Sequence, residues 1–155
     1  MKCLPIFVDG AVTGTRFAGA AAVARSPEGY FQGWLSRRLP RMTNNEAEYQ
    51  AALLGLELAA RLGASVVEIV SDSEVVVRQM QGISRVNSRR LKQLHQETCA
   101  RATRFKQVAF RHVTRTENYL ADALATEAIA GRLVNMPPRV ESPLKDGSWR
   151  QRWLG

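Results

Sequence analysis

The sequence predicts an α/β fold: a mixed five-stranded sheet, three antiparallel strands followed by two parallel ones, with helices on both faces. Three observations carry this. Short apolar runs separated by turn residues fill the N-terminal part of the chain. From Asn44 the apolar spacing lengthens to three and four. After Gly63, β-branched or apolar runs alternate with further helical stretches.

Leu4–Val8, Phe17–Ala24 and Tyr30–Leu35 read as the first three strands, with Gly10–Thr15 and Ser26-Pro27-Glu28-Gly29 as the connections. Pro5 has no N–H to donate, so pairing with the neighbour on that side should start after it. Ala47, Ala51, Leu54, Leu58 and Leu62 mark one face of a long helix. Thr43-Asn44-Asn45-Glu46 has capping-box spacing at its start, and Gly63 stops it. Val66–Val70 is a fourth strand, and Ser71-Asp72-Ser73-Glu74 repeats the capping-box spacing before a helix over Val75–Met80. Arg85–Arg104 reads as a helix, Gln107–Val113 as the fifth strand, and Glu117–Ile129 as a last helix ending near Gly131. Beyond it Pro137, Pro138, Pro143 and Gly147 break regular elements, so the chain divides into a domain over residues 1–131 and a basic tail over 132–155.

At 155 residues, one domain with a terminal extension is expected. Apolar types at 45% and charged types at 23% exclude wholesale disorder. Cys3 and Cys99 are too few for a disulfide framework and match no zinc module. The apolar run Phe17–Ala24, bounded by Arg16 and Arg25, is too short to span a bilayer; no signal peptide or anchor is seen, and a cytoplasmic monomer is expected. Lysine and arginine number 22 against 14 acids, a net charge of +8, which points to a polyanionic partner, nucleic acid first.

The acids fall in a pattern. Asp9 ends the first strand and Asp72 follows the fourth, so parallel pairing of those strands sets both carboxylates on one rim. Glu48 lies near the first turn of the long helix and Asp122 is similarly placed in the last one, so four acids can converge. Two unit charges about 4 Å apart repel by roughly 4 kcal/mol at an effective dielectric of 20, so protons or a divalent cation must compensate. Oxygen-only ligands favour Mg²⁺ or Mn²⁺. Each acid also has a structural reading: Asp72 as a favourable charge at a helix N-terminus, Asp9 as a turn residue, Glu48 and Asp122 as solvated helix acids.

Four stretches in order, Ile6-Phe7-Val8-Asp9-Gly10, Thr43-Asn44-Asn45-Glu46-Ala47-Glu48-Tyr49, Val70-Ser71-Asp72-Ser73 and Asn118-Tyr119-Leu120-Ala121-Asp122-Ala123-Leu124-Ala125, resemble type 1 ribonuclease H. The resemblance implies that Asp9, Glu48, Asp72 and Asp122 are catalytic and hold two Mg²⁺ or Mn²⁺ ions with substrate. It implies hydrolysis of the RNA strand of RNA/DNA hybrids, leaving 5′-phosphate and 3′-hydroxyl ends, with double-stranded RNA as a further duplex to test. It sets Gly10, Thr43, Asn44 and Asn45 against the substrate, the asparagines in its minor groove, and Arg41 on a phosphate of the DNA strand.

The chain departs from the best-known bacterial members. Only Gln81–Ser88 stands where they carry a long basic insertion, and Arg115 occupies the short loop where they carry a histidine. This resembles a compact branch of the family, including archaeal members, in which that arginine assists catalysis. His112, inside the predicted strand, reads as a packed or hydrogen-bonded residue rather than a proton shuttle, and Glu74 as the capping-box glutamate.

Seven basic residues and one acid lie between Arg85 and Lys106. Either they form a solvated face, or Arg89, Arg90 and Lys92 grip phosphates in place of the missing insertion. In the tail, Trp149 and Trp153 among the arginines either stack on a nucleic-acid strand or fold back over an apolar patch. Two rival functions share this architecture. One is a non-catalytic module binding hybrid or double-stranded RNA; the other is a phosphotransferase using Thr13-Gly14-Thr15 as a phosphate loop, which lacks a P-loop pattern.

Overall fold

The computed structural model describes residues 3–14, 16–131, 139–143 and 149–153, the last two segments by backbone alone. β1 (Leu4–Val12), β2 (Phe17–Arg25) and β3 (Phe31–Pro40) form an antiparallel meander. Then follow α1 (Asn44–Arg61), β4 (Val66–Ser71), α2 (Glu74–Met80), α3 (Arg89–Ala102), β5 (Gln107–His112) and α4 (Tyr119–Ile129). The sheet order is β3-β2-β1-β4-β5, with β4 parallel to β1 and β5 parallel to β4.

β2 is made almost wholly of alanine, glycine and valine, and Ala18–Ala24 are buried. Alanine is a weak strand former, but here small side chains let helices approach closely. A Cβ on Gly19 would run into the carbonyl of Ala125 on α4, and one on Gly55 of α1 would stand 2.7 Å from Val8 Cγ1. α1 buries Ala47, Ala51, Leu54 and Leu58 against Ile6, Val8 and Ile69, while Tyr49 and Leu53 on α1 pack with Val76 of α2 and Leu91 and Leu94 of α3. Each fully buried large aliphatic side chain in this layer contributes roughly 1.5–3 kcal/mol.

The helix starts follow from their caps. Thr43 Oγ1 accepts from the N–H of Glu46, and Gly63 closes α1 at a φ of 70°. The β2–β3 turn closes as expected: Gly29 N–H donates to the Ser26 carbonyl, with Gly29 at a φ of 92°. Pairing of β1 with β2 begins at Ile6, after Pro5, whereas on the β4 side Leu4 and Pro5 are already in register.

Several expectations need correction. β1 does not end at Asp9: it continues along β2 to Val12, with Asp9 opposite Ala21, so Asp9-Gly10 is not a turn. β3 extends to Pro40, five residues past Leu35. The cap of α2 is Ser73, whose hydroxyl accepts from the N–H of Val76; Ser71 Oγ instead accepts from Ser73 N–H, and Glu74 pairs with Arg78 at 2.9 Å. α3 begins only at Arg89, because Ser88 caps it through the N–H of Leu91. In the segment expected to lack regular structure, β6 (Arg139–Pro143) and β7 (Trp149–Trp153) pair antiparallel, and β6 lies near β3. The alternative roles of Trp149 and Trp153 concern side chains outside the described ones.

Candidate active site

Sheet topology builds the site. β1 and β4 run in register from Leu4↔Val67 to Val8↔Ser71, where β4 ends and β1 continues beside β2. Asp9 and Asp72, each one residue past the last pair, therefore stand side by side where the two strands part. Gly10 follows on β1 directly beneath α1: a Cβ there would overlap the carbonyl of Ala47, backbone against backbone. That close approach lets Gly10 N–H donate to Glu48 Oε1. Carboxylate oxygens of Asp9, Glu48 and Asp72 lie within 4.8 Å of one another. Asp122 approaches Asp9 from α4, near enough to raise the Asp9 carboxyl further.

The electrostatics show what this arrangement costs. Asp9 and Glu48 are each 5% exposed. Burial first, then the charges of Glu48 and Asp72, push the Asp9 carboxyl up to about 10. Burial and Asp72 push Glu48 up to about 7, against the opposing pull of the Gly10 N–H and Arg115. Without a cation the cluster must hold protons. Asp72 Oδ2 is buried with no hydrogen-bond partner, an acceptor lone pair left without a donor. Oxygen-only ligands around an orphaned carboxylate oxygen fit a hard divalent cation, Mg²⁺ or Mn²⁺, better than zinc.

Asn118, read from sequence only as the start of the last matching stretch, braces the rim. It is 1% exposed and its Nδ2 donates 2.8 Å to the Val8 carbonyl, tying the start of α4 to β1 one residue before Asp9. Thr114 and Glu117 exchange side-chain and backbone hydrogen bonds just ahead of it, a local motif that Thr-x-x-Glu spacing could have flagged.

A cleft of about 340 Å³ opens over Glu48 and Asp72, lined also by Asn44, Asn45, Ser73, Glu74, His112, Thr114 and Arg115. Arg115 is exposed and faces Glu48 closely enough to lower its pKa. His112 corrects the sequence reading: it pairs with Ser71 at the end of β5, but its side chain is exposed into the cleft rather than packed. The hydroxyl of Thr43 is taken by the cap of α1 and the amide of Gly10 by Glu48, while Asn44 and Asn45 line the cleft. Arg41, Arg89, Arg90 and Lys92 are exposed, with Arg90 Nε 4.0 Å from Glu46 Oε2.

Residues 7–128 match the reverse transcriptase-like family. RNase H1 from the halophilic archaeon Halobacterium salinarum has a solved structure that superposes with a TM-score of 0.80 at 32% identity, over 83% of this chain and 98% of that one. The chain belongs to the type 1 ribonuclease H family. LC11-RNase H1, isolated from compost and solved in complex with an RNA/DNA hybrid, is 31% identical over 83% of this chain and 97% of its own, with a TM-score of 0.78. A bifunctional protein of Mycobacterium tuberculosis and ribonuclease HI of H. salinarum are each 38% identical over 89 residues, 57% of this chain. That match spans 24% of the mycobacterial protein and 45% of the halobacterial one. In this ribonuclease H domain α2 passes to α3 through Gln81–Ser88 alone.

Proposed function

We propose that this ribonuclease H domain is a divalent-metal-dependent endonuclease that hydrolyses the RNA strand of RNA/DNA hybrids, leaving 5′-phosphate and 3′-hydroxyl ends. The observation that carries the reading is the set of three carboxylates within 4.8 Å, two of them buried, with Glu48 and Asp72 lining an open cleft. Asp9, Glu48, Asp72 and Asp122 would hold two ions when substrate is bound. Such ions supply Lewis acidity at a phosphodiester and a clamp on the attacking and leaving oxygens.

The rest of the chemistry belongs to the chain. Arg115 keeps its charge at any working pH, so it can hold a phosphate or offset charge on the leaving side but cannot shuttle a proton. Asn44 and Asn45 offer amide donors and acceptors to the minor groove and its 2′-hydroxyls, with Gly10 and Thr43 setting the strand and helix behind them. Arg41 and the exposed Arg89, Arg90 and Lys92 supply phosphate contacts. Free thiols at Cys3 and Cys99 accord with a reducing, cytoplasmic setting. Residues 1–131 form the catalytic domain in this reading, and 132–155 its basic extension.

A hybrid-binding module without catalysis would have no use for buried mutually repelling acids. The phosphate-loop reading fares worse, since Thr13-Gly14-Thr15 lacks a P-loop pattern. The test incubates labelled RNA/DNA hybrid, double-stranded RNA and double-stranded DNA with the protein and Mg²⁺ or Mn²⁺. Cleavage of the hybrid's RNA strand, reduced about 10³-fold or more in Asp72→Asn while circular dichroism and hybrid affinity persist, is the expected result. Metal-independent binding without cleavage would leave the binding module, and near-normal turnover in Asp72→Asn would remove that residue from the site.

A further inference from the structure

Glu48 and Tyr49 are neighbours on α1, but Tyr49 turns away from the cleft into the layer between α1, α2 and α3. It is fully buried, and its hydroxyl donates 2.7 Å to Gln79 Oε1, also buried. Burial pushes the phenol up to about 12, so the group remains a donor throughout the working pH range. Gln79 is the penultimate residue of α2, and its amide oxygen, amide nitrogen and backbone carbonyl are all engaged across elements. Its Nε2 donates 3.0 Å to the Arg85 carbonyl, and its own carbonyl accepts from His95 Nε2 of α3 at 3.2 Å. The Tyr49 and His95 rings meet edge to face with centroids 6.5 Å apart.

α2 has only seven residues, too few to hold its place by its own hydrogen bonds. Asp72 lies just before its N-terminus, and β4 has already ended at Ser71. β4 places Asp72 beside Asp9, and its setting relative to Glu48 then depends on how α2 is held against α1. Val76 supplies apolar contact with Tyr49 and Leu53, which tolerates sliding. The Tyr49–Gln79 bond is directional and does not.

We infer that the buried Tyr49–Gln79 hydrogen bond is a positioning clamp that locks α2 to α1 and so sets the Asp72–Glu48 geometry for the metal ions, while the Gln79–Arg85 arm fixes the approach to the basic start of α3. This deepens the proposed reading and rests on it for the role of the carboxylates. Neither residue touches substrate; both act through others, as partners behind a metal's direct ligands commonly do.

The test compares Tyr49→Phe, which removes one oxygen and keeps the ring, and Gln79→Met, with Leu58→Val as a control destabilised in the distal half of α1. Mn²⁺ binding to the metal-free protein is measured by calorimetry, and hybrid cleavage is followed across Mg²⁺ concentration, all below the lowest Tm. Tyr49→Phe should weaken Mn²⁺ binding and raise the half-saturating Mg²⁺ about 10-fold with little change in KM for hybrid. Gln79→Met should do the same and also raise that KM, and the double variant should lose little more than either single one. Leu58→Val should move only Tm.

Unchanged Mn²⁺ affinity in Tyr49→Phe, or an equal loss in Leu58→Val, would overturn the clamp and leave the bond a purely structural contact. If the wild type cleaves no hybrid but Tyr49→Phe still weakens Mn²⁺ binding selectively, the clamp stands and the proposed substrate falls.

Discussion

Asp9 bears the heaviest electrostatic load in the domain. Its carboxyl is raised from an ordinary 3.8 to about 10, so the folded state holds a proton that the unfolded chain has released. Between those values the native state binds more protons than the unfolded one, so metal-free stability falls as pH rises from about 4 toward 10; Glu48, raised to about 7, adds to the fall over the lower part of that range. Asp9→Asn removes the main source of this slope. In chelator-treated protein at pH 8 its Tm should exceed the wild type's by about 5 °C, with a flatter pH profile, and millimolar Mg²⁺ should narrow the gap by stabilising the wild type alone. A variant melting below wild type at that pH would mean that the carboxylate is not the strained group.

His112 at the end of β5 and Arg115 in the segment joining β5 to α4 line the same cleft, and their chemistry separates them. Arg115→Ala should lower kcat by about 10 to 10³-fold, with a smaller change in KM. The strand position of His112 suggests a stability role, but its exposed side chain assigns it to the cleft. His112→Ala should therefore leave Tm within about 1 °C and reduce turnover about 10-fold. Steady-state kinetics beside thermal melts decides this: a lower Tm with normal kcat would return His112 to the framework.

At the scale of elements, period and caps were readable wherever the signal was local. The α1 stripe from Ala47 to Leu58, its threonine cap and the strand that leads to Asp72 all stand as read. The misreadings arise where a long-range contact overrides a local rule or where two local rules compete. Asp9-Gly10 looks like a turn, yet pairing with Ala21 and Ala20 carries β1 through it, and its glycine serves the packing of α1 instead. Ser71 and Ser73 both precede Glu74, and spacing alone favoured the wrong serine as the cap. Asn118 gave no local signal of its bond to Val8, 110 positions away.

α3 offers a prediction of its own kind. Its buried side is Leu91, Leu94 and Thr98, leaving Arg89, Arg90 and Lys92 to solvent at its start. Changing these three to alanine should weaken hybrid binding and flatten the dependence of log K on log salt, by about one unit of slope for each phosphate no longer neutralised. An unaltered slope would reduce them to a solvated face.

For the molecule as a whole, the family match ends at residue 128 and the five-stranded sheet closes with β5, both before the tail. A chain of residues 1–131 should fold cooperatively and keep metal-dependent cleavage, with a shallower salt dependence of hybrid binding because Arg139, Arg150 and Arg152 are gone. Loss of the cooperative melt in that chain would make the β6–β7 hairpin part of the fold rather than an extension.

The bond from Asn118 to Val8, with the Asp9–Asp122 contact beside it, joins nearly the first and last elements of the domain. No contiguous piece of chain contains the site, because β1, α1, the end of β4 and α4 must all be in place before four carboxylates meet. A polypeptide emerging from the ribosome thus has no assembled cluster until α4 is released and docked. The repulsion among the acids is met only in the finished fold, when a cation can answer it. Metal ions then reward only the complete topology, so they should slow the global opening that exchanges the buried amides of β2 and leave fraying of the helix ends untouched.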